Sequence, residues 1–177
     1  MSGTHQYLVA LGSNERHRRF GSPERVVREA GRQMSRLGEV LALAPVAKSA
    51  PIGPSRRRYA NGAAVLVSDL PPPELLKALK RLEREFGRRT GGQRWSARVL
   101  DCDIIFWNGG AWHDPTLTIP HPMCRQRRFV LQPAAMIAPE WRDPATGIRI
   151  RHLLARLTKP QPVLRWAAPD PAGYVGP

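Results

Sequence analysis

Asp101 and Asp103 lie two residues apart in the apolar run from Val99 to Phe106. In an extended strand that step puts both carboxylates on one face about 7 Å apart. At an effective dielectric constant of about 20 they repel by about 2 kcal/mol, and a divalent cation turns that repulsion into attraction. An Asp-x-Asp pair is most often no more than an acidic sheet face, but the neighbours of this one are unusual. Between Phe86 and His113 the two aspartates are the only acids, and Arg88, Arg89, Arg94 and Arg98 crowd the segment just before them. The sequence asks for a hard cation and for anionic oxygen in the same place. Magnesium with a polyphosphate meets both demands, carboxylates holding the metal and guanidinium groups the phosphate oxygens.

Other candidates are weaker one by one. His121 stands between Pro120 and Pro122, shortly before Arg125, Arg127 and Arg128. A phosphate contact fits there, although a single loop histidine is more often structural. Glu83 flanks an apolar helical stripe, and spacing alone reads it as a half-exposed acid paired with helix neighbours. Tyr59, Asn61, Trp95 and Phe129 are aromatic or amide groups in loops or at element ends. They either cap a core or, if they converge, stack on a flat heterocycle while the amide reads its edge.

The elements that must position these groups follow from periodicity. Tyr7 to Leu11 reads as a buried strand stopped by Gly12-Ser13-Asn14. Ser22-Pro23-Glu24 supplies an N-cap hydroxyl, a proline at the first helical position and an acid at the dipole's positive end. A helix with Val26, Val27, Ala30, Met34 and Leu37 on one side follows, stopped by Gly38. Val40 to Ser49 alternates loosely, with Pro45 marking an edge strand, and Ala60 to Val67 is a further strand. Pro71-Pro72-Pro73-Glu74 opens a second helix whose stripe is Leu75, Leu79, Leu82 and Phe86 before Gly87. In the last strand, Leu100, Cys102, Ile104 and Phe106 are expected on one face, and Val99, Asp101, Asp103 and Ile105 on the other. The order strand, helix, strand, strand, helix, strand predicts a ferredoxin-like β-α-β-β-α-β fold of the α+β class, an antiparallel sheet with helices on one face. A loop to His121, short helices around Phe129 to Ile137 and Ile150 to Leu157, and a Pro/Gly-rich tail form a C-terminal extension.

Composition narrows the setting. A chain of 177 residues, 42% hydrophobic and 24% charged, suits one globular domain; residues 1–165 are read as that domain and 166–177 as a tail. The balance of 28 Lys+Arg against 14 Asp+Glu leaves a net charge of +14, which favours polyanionic partners. Cys102 and Cys124 lack the spacing of a zinc site or a disulfide framework, which points to a reducing compartment. No apolar run approaches the ~18 residues of a membrane span, and the first strand is too short for a signal peptide. The expected setting is cytoplasmic, with no membrane partner.

Taken together, the motifs resemble the 6-hydroxymethyl-7,8-dihydropterin pyrophosphokinase family of the folate pathway. The resemblance is carried by Ala10-Leu11-Gly12-Ser13-Asn14, by Ala50 to Pro54 with Tyr59-Ala60-Asn61, and by Leu82-Glu83 with Gly87-Arg88. The most specific segments are Arg94-Trp95-Ser96-Ala97-Arg98-Val99-Leu100-Asp101-Cys102-Asp103-Ile104 and Ile119-Pro120-His121-Pro122 leading to Arg127-Arg128-Phe129. These cover roughly residues 7 to 140 in the family's order. The resemblance implies transfer of a pyrophosphoryl group from ATP to the pterin hydroxymethyl oxygen, releasing AMP. Two magnesium ions would be held by Asp101 and Asp103. Tyr59 and Phe129 would be the aromatic plates of the pterin slot, Asn61 the amide at its edge, Trp95 the ring closing over it, and Ser49 and Ile52 its lining. Arg88 and Arg98 would be mobile phosphate-reaching arginines. Arg94, His121 and Arg127 would hold ATP, Ile104 would pack on adenine, and Glu83 would contact the nucleotide, against the reading from spacing alone.

The chain departs from the family pattern in places. Ser96-Ala97 replaces the usual Gly-Pro, the run Arg56 to Arg58 precedes the tyrosine, and Cys102 replaces a leucine. Two rival readings are an inactive pterin-binding homologue and a basic ferredoxin-like RNA-binding module. The second needs aromatic residues on the central strands, and Ala60 to Val67 has none. The expected protein is a monomeric enzyme of small-molecule substrates, with no nucleic-acid partner.

Overall fold

A computed structural model of the chain describes residues 3–49, 59–87 and 98–158. Ile52, Arg88, Arg94, Trp95, the Arg56 to Arg58 run, Ser96-Ala97 and the tail from 166 onward lie outside the described residues. Four antiparallel ladders build the main sheet from β1 (His5–Ser13), β2 (Glu39–Leu43), β3 (Ala47–Ser49), β4 (Tyr59–Ser68) and β5 (Asp101–Trp107), in the order β2-β4-β1-β5. The segment expected to be one edge strand from Val40 to Ser49 is two pieces. Leu43 pairs with Ala64 and Ala47 with Asn61, on the same side of β4, with Pro45 in the gap. Proline has no N–H for the ladder, so the break falls where the expectation of an edge put it.

Helix α1 (Pro23–Gln33) and helix α2 (Pro72–Glu85) cover one face. Tyr7, Val9 and Leu11 of β1, Ala64 and Leu66 of β4 and Cys102 and Ile104 of β5 meet Val26, Val27 and Ala30 of α1 and Leu75, Leu79 and Leu82 of α2. Each leucine so buried contributes about 2 kcal/mol. Gly62 lets α1 come close: a Cβ there would lie 2.8 Å from Val27 Cγ1. Gly87, with φ +84°, ends the α2 segment in the left-handed region that glycine adopts without steric cost. The start of α1 differs in detail from expectation. Ser22 makes no side-chain bond to the helix backbone, and its hydroxyl hydrogen-bonds the Glu24 carboxylate instead, which together with Lys48 lowers that acid to about 2. The α-helix also ends at Gln33, and a 3-10 turn (Met34–Arg36) carries the chain on toward Gly38.

The C-terminal extension covers part of the opposite face, so helices lie on both sides of the sheet. Helices α3 (Arg128–Ile137) and α4 (Ile150–Thr158) place Val130, Leu131, Ala134, Ile150 and Leu153 against Leu8, Ala63, Val65, Ile105 and Phe106. Phe106 therefore stands on the face opposite the one alternation assigns it. The β1–β5 register shifts between Leu8↔Phe106 and Val9↔Ile104, so Ile105 is an extra residue and everything after it changes sides. The segment expected as a loop before His121 holds a two-residue hairpin, β6 (Trp112–His113) with β7 (Thr118–Ile119). No helix among the described residues is long and apolar enough to cross a membrane.

A buried ion pair fastens this extension. Asp143, fully buried, accepts two hydrogen bonds from Arg125, from Nε at 2.5 Å and Nη2 at 2.8 Å. It also accepts from Thr146 Oγ1 at 2.8 Å and the Ala145 N–H at 3.0 Å. Arg125 belongs to the 3-10 turn Cys124–Gln126 that joins His121 to Arg127. Burial pushes the Asp143 carboxyl up, but the bonds from Arg125, Thr146 and Ala145 outweigh it and hold the group below the usual carboxylate range. Its stabilising contribution is thus complete above about pH 4, the ordinary unfolded value, and is lost as pH falls from there through the folded value. Asp143→Asn is expected to cost about 2 kcal/mol at pH 7. Urea unfolding followed from pH 7 to pH 3 should show a smaller acid loss in the variant than in the wild type.

Candidate active site

The aspartates and the candidate pterin amide share a row across the sheet. Gly12 of β1 pairs with Asn61 of β4 on one side and with Asp101 of β5 on the other, and Ala10 pairs with Ala63 and Asp103 in the same way. Three strands at about 4.8 Å spacing put Asn61 and Asp101 roughly 10 Å apart. The residues between them are small. A Cβ added at Gly12 would meet nothing within 4 Å. One end of this face is filled by Leu8, Val65, Ile105 and Phe106 under α3 and α4, while the described residues leave the other end, at Gly12, an open floor that carries polar groups.

Asn61, 4% exposed, donates from Nδ2 to Ser49 Oγ at 2.9 Å. Ser49 pairs with Tyr59 across the β3–β4 ladder, so three of the predicted pterin residues sit at one sheet corner. Phe129 lies in the first turn of α3, half-buried against the second core, with the Arg127 guanidinium 5.8 Å from its ring centre. Such a stacked cation contributes about 0.5 to 1 kcal/mol at a half-exposed site.

Both aspartates are partly exposed, and each has a cation beside it. Asp101 Oδ2 accepts from Arg98 Nη1 at 2.7 Å, and Asp103 Oδ1 lies 3.9 Å from Lys80 Nζ. Arg98 is itself held at its backbone by Asn14. The Arg98 N–H donates to Asn14 Oδ1 at 2.6 Å, and the Asn14 N–H donates to the Arg98 carbonyl at 3.0 Å. Asn14 thus ties the end of β1 to the entry of β5, a job that the Gly12-Ser13-Asn14 stop signal did not disclose. Its Nδ2 is buried with no hydrogen-bond partner among the described residues.

Glu83 is the largest correction to spacing-based reading. It is fully buried, and its Oε1 accepts from Lys80 Nζ at 2.7 Å and from the Cys102 N–H at 2.8 Å. A strand amide facing the helix is what makes room for an acid here; the helical pattern alone carries no sign of it. Lys80 also donates to the Cys102 carbonyl at 3.1 Å. Sequence reading missed Lys80 because one lysine on a charged helix is ordinary.

A cavity of about 670 Å³ opens beside β5, lined among others by Lys80, Asp103, Ile104, Thr116, Thr118 and His121. Ile104 and His121 thus line the same cavity. Burial pushes the His121 imidazole down, with Arg127 adding to this and Asp103 opposing it. Its Nδ1 accepts from the Met123 N–H at 3.2 Å, so the neutral ring carries its proton on Nε2. Asp114 shapes the hairpin wall by accepting from Trp112, Thr116 and Leu117, bonds that hold it well below the usual carboxylate range.

The described residues of this α+β protein thus bring two carboxylates to one sheet face beside a cavity edged by Lys80 and His121. The chain belongs to the 7,8-dihydro-6-hydroxymethylpterin-pyrophosphokinase (HPPK) family, whose sequence profile matches residues 8–139. It is 42% identical over 110 residues to a 2-amino-4-hydroxy-6-hydroxymethyldihydropteridine pyrophosphokinase of Synechocystis sp., a match spanning 62% of this chain and 56% of that protein. The enzyme of the same name from Pseudomonas aeruginosa is 38% identical over 150 residues, 83% of this chain and 88% of the relative. The fold is similar to that of wild-type Plasmodium falciparum HPPK-DHPS, with a TM-score of 0.67 at 13% identity over 87% of this chain and 44% of that one.

The buried Glu83 makes a direct prediction. Glu83→Ala leaves the Cys102 N–H and the Lys80 ammonium without this acceptor and is expected to destabilise the protein by about 3 kcal/mol. Glu74→Ala, which breaks the exposed pair with Lys77, should change stability by less than about 0.5 kcal/mol. Urea unfolding of both variants at pH 7 checks the contrast.

Proposed function

We propose that this chain transfers a pyrophosphoryl group from ATP to 6-hydroxymethyl-7,8-dihydropterin, giving AMP and the pterin diphosphate, as a step of folate synthesis. The observation that carries the reading is the row Asn61, Gly12, Asp101: an amide suited to a heterocycle edge and a carboxylate suited to a metal, separated by a floor with no side chain. Family membership and the names of the relatives support it.

The donor set fits magnesium. Asp101 and Asp103 offer hard carboxylate oxygens from alternate positions of one strand, and the open floor leaves room for water and phosphate oxygens as the remaining ligands. The two residues would hold the ions, which when bound offset the charge of the triphosphate. The chain's own groups do the rest. Asn61 and Ser49 present amide and hydroxyl to the pterin edge, with Tyr59 and Phe129 on its faces and Ile52 and Trp95 completing the slot. The cavity beside Ile104 takes the adenosine, His121 donates from Nε2 toward phosphate, and Arg127 adds charge. Arg88, Arg94 and Arg98 reach the phosphates, Arg98 exchanging its bond to Asp101 for one to a phosphate oxygen. Glu83 acts on the nucleotide side from behind, through Lys80.

In the reaction the hydroxymethyl oxygen forms a bond to the β-phosphorus and its proton passes to solvent, while the bond from the β-phosphorus to the bridging oxygen breaks and AMP leaves with that oxygen. Alignment and fixed positive charge are the main sources of rate in such a transfer. The protein works in this reading as a cytoplasmic monomer without nucleic acid.

Asp101→Asn and Asp103→Asn are each expected to lower AMP formation at least about 100-fold, with melting temperature held within a few degrees. The test follows AMP and pterin diphosphate from ATP, magnesium and the hydroxymethyl dihydropterin. Wild-type protein that binds pterin but forms no AMP would establish the inactive homologue instead.

A further inference from the structure

Among the described residues two cations stand beside the carboxylate pair, and they are held in different ways. Arg98 reaches Asp101 with a single nitrogen, from the end of a loop. Lys80 stands on α2, and its ammonium is committed twice before it meets Asp103, to buried Glu83 and to the β5 backbone at Cys102. An ammonium has three protons. Two are taken by these anchors, so the charge stays beside Asp103 whether or not anything else binds. Arg98 is exchangeable and Lys80 is not.

A fixed positive charge next to a metal-holding carboxylate weakens its attraction for a lone divalent cation. A cation that arrives with a polyanion meets a different balance, because the added negative charge offsets the ammonium. We propose that Lys80 is a positioning residue that serves as the permanent counter-ion of Asp103, so that the carboxylate pair takes up a divalent ion weakly alone and firmly only together with a polyphosphate. The inference rests on the reading of Asp101 and Asp103 as the metal-holding pair. It assigns the lysine a task distinct from supporting the fold: it couples metal uptake to nucleotide uptake.

The test is Mn²⁺ titrated into the full chain without nucleotide, with free Mn²⁺ read by electron paramagnetic resonance, and again with a non-hydrolysable ATP analogue. Lys80→Gln keeps a donor for Glu83 and removes the charge. It is expected to bind Mn²⁺ alone about tenfold more tightly, the ratio that a unit and a double charge roughly 6 Å apart produce even at the dielectric constant of water. The enhancement by the nucleotide analogue should shrink by a similar factor, and Lys80→Arg should stay near the wild type. If Lys80→Gln does not fold, the double variant Lys80→Gln/Glu83→Gln, which strands no buried carboxylate, is compared with Glu83→Gln alone, and loss of the lysine charge should again tighten Mn²⁺ binding about tenfold relative to that single variant. A purely structural lysine would lower the melting temperature without tightening Mn²⁺ binding. Unchanged or weaker Mn²⁺ affinity, against the wild type for Lys80→Gln or against Glu83→Gln for the double variant, therefore overturns the inference while leaving the metal site intact. Wild-type Mn²⁺ binding that is indifferent to Asp103→Asn overturns the metal-site reading and this inference with it.

Discussion

A carboxylate with no exposure to solvent is tolerated only where fixed donors replace the water it has lost. Among the described residues Glu83 finds an ammonium and a strand amide, and the geometry of the site depends on the result. The Lys80 ammonium and the Glu83 carboxylate together engage both the N–H and the carbonyl of Cys102. That residue lies between the two aspartates, so α2 grips β5 at the point where the site's charge is concentrated. The apolar stripe of α2 sets how close helix and strand lie; the ion pair sets their phase, because a hydrogen bond fails over shifts that leucine contacts tolerate.

The sheet then divides its labour between faces. One side is closed by α1 and α2 over a continuous apolar core. The other is shared, with Ala63 and larger residues under α3 and α4 at one end and Gly12 and Ala10 at the other. The bulge at Ile105 draws that border. It puts Ile105 and Phe106 together on the side of α3, thickening the core where the extension lands, and leaves Asp101 and Asp103 in regular alternation ahead of it. The Arg125–Asp143 clasp plays the matching part for the loop side, since it fixes the turn between His121 and Arg127 to the body of the extension.

Much of this was legible in the residues. Helix and strand order follow from periods of 3.6 and 2, Pro45 marks the broken edge, and the residues that share the row across the sheet, Asn61, Asp101 and Asp103, are ones the sequence already singles out. What escaped reading has physical causes. Alternation cannot foresee a bulge, because a single inserted residue leaves no compositional trace and reverses all that follows, as Phe106 shows. The β6–β7 hairpin is too short to have a period. Glu83, Lys80, Asn14 and Asp143 matter through partners 19, 22, 84 and 18 residues away. Such pairings are a property of the fold, and a local window sees only ordinary polar residues.

The interrupted edge at Pro45 has a bearing on the protein in a crowded solution. A sheet edge offers unpaired N–H and carbonyl groups to any other extended chain, and long flat edges seed aggregation. Here the exposed rim is two rows, of five and three residues, separated by a short gap whose proline cannot donate. A foreign strand laid along it would have to break step midway, with Lys48 projecting on the far side of the gap. The proline that shortens the ladder thus also makes the rim a poor template for its own copies.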